Sequence, residues 1–223
     1  MSRPYTAVLF DLDGTIVDSA PGITASLATM FEDMGLPVPP AEQLRRYVGP
    51  PMLDAFRDLA GFDEETAVRA LAIYRPIYRE HGVLDATLYP GLDRTVWEIH
   101  DSDLVLSLAT SKPETPARMV LKHFGLLPAF DELAGASDDE VRSKKADVVA
   151  EALRRLSADG ADLSRPVMVG DRSIDVQGAA EHGIPTIFVS WGYGPPEEQA
   201  GALAVVDNAD ELLDALGIAH RAA

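Results

Sequence analysis

The chain has 223 residues, of which 47% are hydrophobic and 25% charged, and its formal net charge is −17 at pH 7. This is ordinary globular composition, no apolar run approaches the ~20 residues of a membrane span, and a surface this acidic repels nucleic acid and anionic membranes. The chain has no cysteine, which excludes disulfide and thiolate chemistry, and its N-terminal segment does not read as a signal peptide, so we expect a cytoplasmic protein that binds neither nucleic acid nor membrane.

The first predicted element is an apolar strand at residues 7–10, which is followed at once by Asp11, Leu12, Asp13 and Gly14. Turn chemistry accounts for one aspartate and the glycine. In extended chain, however, residues two apart point to the same side, so Asp11 and Asp13 would lie close together and repel each other. A divalent cation would relieve this repulsion, and so would a proton held on one carboxylate.

The next predicted elements are helical, and no convincing strand pattern is found between residues 17 and 86. Apolar residues at helical spacing predict helices over 21–34, within 38–51 and 52–61, and over 63–82 with a kink at Pro76. Asp18 and Ser19 precede the first of these helices, and we interpret them as its N-terminal cap. Residues 17–86 are therefore predicted to form a small helical module.

From residue 88 onward, predicted strands and helices alternate. The strands are predicted over 104–110, 132–137, 166–171, 186–192 and 203–207, and the helices over 92–100, 114–124, 144–160, 173–182, 196–201 and 209–216. Such alternation implies a parallel sheet with helices on both faces. Ligands of these sheets bind beyond the carboxyl ends of the strands.

Polar residues follow several predicted strands at their carboxyl ends. Besides the two aspartates of the first strand, they are Thr110, Ser111, Asp171, Asp175 and the lysine pair at positions 144 and 145. Carboxylate oxygens are the ligands that Mg²⁺ prefers, whereas hydroxyl and ammonium groups bind phosphoryl oxygens. The set therefore predicts a site for phosphate and a hard cation.

Four stretches of the chain resemble, in order, the motifs of haloacid-dehalogenase-like phosphatases. They are DLDGT at 11–15, Thr110 at the end of LVLSLAT, a lysine before ADVVAEAL, and VGDRSID at 169–175. The helical module resembles the cap of that family, and YVGPP and VGDRSIDVQGAAEHGI resemble its phosphoglycolate-phosphatase branch. One such motif alone would be weak, but four in order are specific.

The resemblance implies a role for each strand-end residue. Asp11 would be the nucleophile that forms an aspartyl-phosphate, and Asp13 would be the general acid and then the base. The implied Mg²⁺ ligands are Asp11, the Asp13 carbonyl, Asp171, and Asp175 either directly or through water. The implied phosphate-binding residues are Leu12, Gly14, Thr110, Ser111 and Lys145, the last preferred to Lys144. Within the cap, Arg45, Gly49 and Pro50 would face the substrate.

The implied fold is α/β, with a Rossmann-like three-layer core around a parallel sheet. Residues 1–16 and 87–223 would form this core, and residues 17–86 an all-helical cap inserted after the first strand. The implied function is Mg²⁺-dependent hydrolysis of a small phosphorylated metabolite by a monomer or homodimer. Phosphoglycolate is the first expected substrate and a nucleoside 5′-monophosphate the second.

Three alternatives remain open from the sequence. A sugar phosphatase or phosphomutase would share the same strand-end machinery. A catalytically silent protein that binds a phosphorylated ligand is the alternative outside enzymes, although it would have been free to lose Asp13 or Lys145. A true dehalogenase is disfavoured, because it lacks the acid at the position of Asp13.

Overall fold

The computed structural model describes residues 3–219. Its strands are β1 (Ala7–Phe10), β2 (Val17–Asp18), β3 (Thr87–Leu88), β4 (Val105–Pro113), β5 (Glu132–Ala136), β6 (Pro166–Gly170), β7 (Thr186–Val189) and β8 (Ala204–Val206). Its α-helices are α1 (Ala20–Asp33), α2 (Ala41–Arg45), α3 (Met52–Asp58), α4 (Glu64–Ile77), α5 (Leu92–His100), α6 (Glu114–His123), α7 (Lys145–Ala158), α8 (Ser173–Ala180) and α9 (Ala209–Leu216). None of the helices described is long and apolar enough to cross a membrane.

Six strands form one parallel sheet in the order β5-β4-β1-β6-β7-β8. The apolar run of β1 lies at its centre, where Phe10 pairs with Leu108 on one side and with Val169 on the other. All of β1 is buried, as expected of a strand covered on both faces. Leu9 packs with α7 and α8, whereas Phe10 belongs to the cluster with α5, α6 and α9. The predicted three-layer α/β fold is confirmed.

The helical segment between β2 and β3 contains α1 to α4 and an additional π-helical turn at Tyr78–Gly82. The helix predicted over 63–82 is thus divided in two. Its beginning follows from Asp63, whose carboxylate accepts a hydrogen bond from the Thr66 N–H at 2.9 Å. Its end follows Pro76, which lacks the N–H that a regular helix requires.

Two short strands lie where only helix and loop were expected. Val17 pairs with Leu88, and Asp18 pairs with Thr87, in an antiparallel arrangement. The expectation that no strand begins at residue 17 was therefore wrong, because a two-residue strand is too short to show a period-two pattern. The chain passes from the sheet into the helical segment at β2 and returns at β3. Their pairing holds these two connections side by side. The division into core and cap at residues 17 and 87 stays a prediction.

Strand β4 extends further than expected, to Pro113 rather than to Thr110. Its pairing with β5 becomes irregular between these two residues. The extension keeps Ser111 and Lys112 in extended chain at the carboxyl edge of the sheet. Both side chains are buried there.

Candidate active site

The two aspartates after β1 lie at the carboxyl edge of the sheet and are 4% and 6% exposed. The N–H of Asp11 still donates to the Val169 carbonyl of β6, at 2.9 Å. The chain then turns around the carbonyl of Leu12, which accepts hydrogen bonds from Ile16 N at 2.9 Å and from Val17 N at 3.1 Å. This turn fixes the backbone that presents both carboxylates.

Two glycines allow the chain to approach the Asp171 carboxylate closely. Gly14 has φ +89°, and a Cβ there would lie 2.3 Å from Asp171 Oδ2. A Cβ at Gly192 would lie 2.4 Å from the same oxygen. The close neighbour of Gly14 is thus Asp171, and binding of phosphate at Gly14 stays a prediction.

Asp171 is fully buried and is oriented by two hydrogen bonds. Its Oδ1 accepts from the Thr15 hydroxyl at 3.1 Å, and its Oδ2 accepts from the Tyr193 N–H at 2.7 Å. The carboxylate is therefore held between the β1 turn and the loop that follows β7.

Lys145, the first residue of α7, connects three parts of the site. Its Nζ donates to Asp11 Oδ1 at 2.7 Å and to the Ala109 carbonyl at 3.0 Å. Asp175 Oδ1 also lies 2.8 Å from Nζ and forms an ion pair with it, although this contact lacks hydrogen-bond geometry. Lys144, by contrast, is exposed. The structure thus brings Lys145, and not Lys144, to the predicted nucleophile.

Negative charge exceeds positive charge at this point. Asp11, Asp171 and Asp175 are buried, and one carboxylate oxygen from each lies within 4.8 Å of the others, yet Lys145 is the cation that contacts this cluster. Burial raises the pKa of Asp11 to about 6, although Lys145 opposes the rise. Burial, followed by Asp175 and Asp11, raises the pKa of Asp171 well above its usual value. Three oxygen ligands with uncompensated charge suit a divalent cation such as Mg²⁺.

The lysine itself keeps its proton. Burial alone would lower the pKa of Lys145, but the negative charges of Asp11 and Asp175 outweigh burial and raise it. A permanent positive charge therefore lies beside Asp11, where a phosphoryl group would need one.

Asp175 also has a structural role at the beginning of α8. Its Oδ2 accepts a hydrogen bond from the Arg172 N–H at 3.0 Å, as in a helix capping box. One carboxylate oxygen thus fixes the loop, and the other faces Lys145.

The predicted phosphate-binding hydroxyls lie at the end of β4. Thr110 is buried, and its Oγ1 accepts a hydrogen bond from the Lys112 N–H at 3.2 Å. Ser111 Oγ is buried and has no hydrogen-bond partner within residues 3–219. An unpaired buried hydroxyl is costly, and a bound phosphoryl oxygen would satisfy it. Their roles in binding phosphate stay predictions.

Lys112 is a site residue that the sequence analysis missed. Its Nζ lies 2.9 Å from both carboxylate oxygens of Asp13 and 4.8 Å from the centre of the Tyr78 ring. A signal for it existed, because Lys112 stands two residues after Thr110 and so faces the same side in extended chain.

The loop at Trp191–Gly194 also supports the site. The Tyr193 hydroxyl accepts hydrogen bonds from the N–H groups of Ser19 at 2.8 Å and Ala20 at 3.0 Å, and it donates to Asp18 Oδ1 at 2.7 Å. Asp18 also accepts from the Ala20 N–H, at 3.1 Å, as expected for a cap of α1, whereas Ser19 makes no side-chain cap bond.

A chamber of about 300 Å³ lies beside Asp13, between the sheet edge and the helical segment. Gly49 and Pro50, two of the three predicted cap residues, line it. Arg45, the third, does not line the chamber. It lines a separate groove of about 680 Å³ together with Arg172, and Pro50 is the residue that this groove shares with the chamber. The structure therefore places Arg45 away from the chamber, and contact of any of the three with substrate stays a prediction.

This combination of a parallel sheet between helices with acids, a lysine and hydroxyls at its carboxyl edge is typical of enzymes that act on phosphate groups. Residues 8–189 match the family of haloacid dehalogenase-like hydrolases. Over 94% of this chain, the structure is similar to that of a predicted phosphatase from Clostridium acetobutylicum, with a TM-score of 0.89, 37% identity and 97% of that chain covered.

Three relatives carry different names. The chain is 41% identical to the tyrosine-protein kinase PtkA of Mycobacterium tuberculosis over 95% of its length and 72% of the relative's. It is 34% identical to a phosphoglycolate phosphatase of Rhodospirillum rubrum (95% and 90% covered) and 32% identical to a 5′-nucleotidase of Pseudomonas aeruginosa (87% and 86% covered). The chain belongs to the haloacid dehalogenase-like hydrolase family, as its motifs predicted, and is a phosphoric monoester hydrolase of that family.

Proposed function

We propose that the protein is a Mg²⁺-dependent phosphatase that hydrolyses a small phosphomonoester through an aspartyl-phosphate on Asp11. One observation carries this proposal. The Asp11 carboxylate lies 2.7 Å from a buried lysine and within a group of buried acids, and a second aspartate, Asp13, follows two residues later.

The proposed reaction has two steps. An oxygen of Asp11 attacks phosphorus while the bond from phosphorus to the ester oxygen breaks, and Asp13 gives a proton to that oxygen as it leaves. In the second step Asp13 takes a proton from a water molecule, whose oxygen attacks the same phosphorus. The bond to Asp11 then breaks, so that phosphate is released and the carboxylate is restored.

The other residues of the site would bind and orient. Lys145 would offset charge on the phosphoryl group, and Thr110 and Ser111 would donate hydrogen bonds to its oxygens. Lys112 would orient the Asp13 carboxylate, since both of its oxygens contact the same ammonium group.

The residues that would hold Mg²⁺ are Asp11, Asp171, Asp175 and the Asp13 carbonyl. Their oxygen ligands and uncompensated charge support this proposal. A bound Mg²⁺ would offset the negative charge of the carboxylates and of the phosphoryl group.

Phosphoglycolate and a nucleoside 5′-monophosphate are the candidate substrates, and each agrees with the name of one relative. The proposed chemistry at Asp11 is the same for both. A difference in substrate must therefore lie in the space that receives the leaving group.

The test is phosphate release from a panel of small phosphomonoesters, with Mg²⁺ and with EDTA, using Asp11→Asn as the blank. We expect release that requires Mg²⁺ and disappears in the variant, and a phosphorylated Asp11 in acid-quenched enzyme by mass spectrometry. Full activity in EDTA would refute the metal requirement. Transfer of phosphate from ATP to a protein, without ester hydrolysis, would refute the phosphatase proposal.

A further inference from the structure

We infer that the chamber beside Asp13 receives a leaving group that contains a planar ring and carries no net charge. The inference rests on the proposed function, since it takes Asp13 as the group next to the leaving oxygen. It selects a substrate class: ring-bearing phosphomonoesters rather than a short anionic ester such as phosphoglycolate.

The first argument is the apolar wall that the helical segment contributes. Its members are Ile23, Tyr47, Met52, Leu71, Tyr74 and Tyr78. The rings of Tyr74 and Tyr78 are stacked, with centres 5.5 Å apart and planes 9° from parallel. Aromatic side chains favour contact with other flat ring systems, and Lys112 Nζ lies 4.8 Å from the centre of the Tyr78 ring.

The second argument is size. The chamber has about 300 Å³, and Ser111 lines it whereas Asp11 and Lys145 do not. A phosphoryl group between Ser111 and Lys145 would therefore reach only the edge of this volume and leave most of it for the leaving group. Pockets for whole drug-sized ligands begin near ~300 Å³. A two-carbon leaving group would leave most of the apolar wall in contact with water.

The third argument is charge. The charged side chains that line the chamber are basic at Lys112, Arg75 and Arg79 and acidic at Asp13, Asp138 and Glu140. Asp13 pairs with Lys112, and Glu140 pairs with Arg75. These six charges sum to zero, which gives no overall preference for an anionic leaving group. Within residues 3–219, Arg79 is the one among these three cations without an ion pair, and it is exposed, so water weakens its attraction for the carboxylate of phosphoglycolate.

Polar contacts remain available for substituents on the ring. An ammonium group has three N–H donors, and within residues 3–219 the acceptors of Lys112 Nζ both belong to Asp13. Arg79 is exposed, and its side chain has no ion pair within the same described residues. A ring with hydroxyl or carbonyl groups could therefore be bound at either end of the chamber.

Two kinds of ester have an uncharged leaving group with a planar ring, and the test separates them. Phenyl phosphate carries its ring directly on the ester oxygen, whereas adenosine 5′-monophosphate carries its base further away. We expect at least one of them to exceed phosphoglycolate in kcat/KM by about tenfold or more, the scale on which pocket contacts discriminate between substrates. Phosphoglycolate hydrolysed as well as either ring ester would overturn the inference.

A filled chamber supplies the second arm of the test. Met52 is half-buried on the chamber wall, so Met52→Trp should occupy part of the space. We expect kcat/KM to fall about tenfold or more for the preferred ring ester and by a smaller factor for phosphoglycolate, whose short leaving group fills less of the chamber. Leu59→Trp is the matched control, because Leu59 is equally half-buried but lines the separate groove. An equal loss for both esters in Met52→Trp would overturn the inference.

A binding measurement keeps the inference testable without turnover. Calorimetric titration of Asp11→Asn with phenyl phosphate, adenosine 5′-monophosphate and phosphoglycolate should give tighter binding for a ring ester, and Met52→Trp in the same background should remove this preference. If the wild type hydrolyses no ester, the proposed function fails, whereas equal affinity for all three esters refutes the ring-binding chamber specifically.

Discussion

Lys112 Nζ lies 2.9 Å from each carboxylate oxygen of Asp13, and both side chains are almost completely buried. The proposed acid and base is therefore held in a fixed orientation by a cation from the adjacent strand. Neither partner can be removed without consequence, because the other would remain as an unpaired charge away from water.

Replacing Lys112 with methionine should lower both stability and activity. Methionine keeps most of the side-chain volume but leaves the Asp13 carboxylate buried without its cation, which costs about 3–5 kcal/mol. Loss of a fixed orientation should also lower kcat, by about 100-fold. Urea unfolding and steady-state phosphate release would measure the two effects.

The double variant Asp13→Asn/Lys112→Met is the control for this pair. It removes both charges, so it should unfold at higher urea concentration than Lys112→Met alone, yet remain inactive because the acid is gone. A double variant that is no more stable than Lys112→Met would show that the charges do not interact as the distances indicate.

The adjacent lysines offer a second matched comparison. Lys145→Met should reduce turnover severely, because it removes the cation that lies 2.7 Å from Asp11. It should also destabilise the metal-free protein by about 3–5 kcal/mol, since a buried group of acids loses its partner. Lys144→Met, at an exposed position, should stay near wild type in both assays. Similar losses in the two variants would contradict the placement of Lys145.

The sequence predicted the sheet and most of the site because both depend on local patterns. An apolar run identifies β1, and the residues directly after a parallel strand must lie at the edge where ligands bind. Asp11 and Asp171 could therefore be located without coordinates, whereas the choice of Lys145 over Lys144 came from the resemblance to the family. The distances between these side chains could not be predicted, because they depend on how β1, β6 and α7 pack together.

The residues that were missed or misplaced depend on long-range contacts. Lys112 becomes important only through Asp13, which is 99 residues away, and Tyr193 only through Asp18, at a separation of 175 residues. Arg45 has the charge expected for a substrate contact, but the fold of the helical segment places it in a different groove. Local spacing indicates which way Lys112 faces, but it does not give the distant residue that a side chain contacts.

The buried acids predict how stability depends on pH without a divalent cation. Burial raises the pKa of Asp11 from 3.8 to about 6, so the folded state holds this proton more tightly than the unfolded state. The contribution to stability is complete below about pH 4 and is lost as pH rises through about 6, with a total of roughly 3 kcal/mol. Urea unfolding in EDTA at several pH values would measure the loss.

Asp11→Asn isolates this effect, because asparagine does not titrate. As pH rises from about 4 to 7, the unfolding free energy of the wild type should fall relative to that of the variant. Mg²⁺ should reduce that shift in the wild type, since a bound cation favours the ionised carboxylate. A difference that stays constant with pH would contradict the predicted burial of charge at Asp11.

Tyr193→Phe should loosen the connection between the sheet and the helical segment without removing any proposed catalytic group. The hydroxyl that is lost is the acceptor of the Ser19 N–H, whereas the Ala20 N–H also donates to Asp18 and keeps that acceptor. Leaving the Ser19 N–H unpaired costs about 1–3 kcal/mol, so hydrogen exchange should become faster at Ser19. It should stay slow at Ile16, whose N–H donates to the Leu12 carbonyl instead. Equal acceleration at Ile16 would indicate general unfolding of the turn after β1. Unchanged exchange at Ser19 would show that Tyr193 does not hold the connection between the sheet and the helical segment.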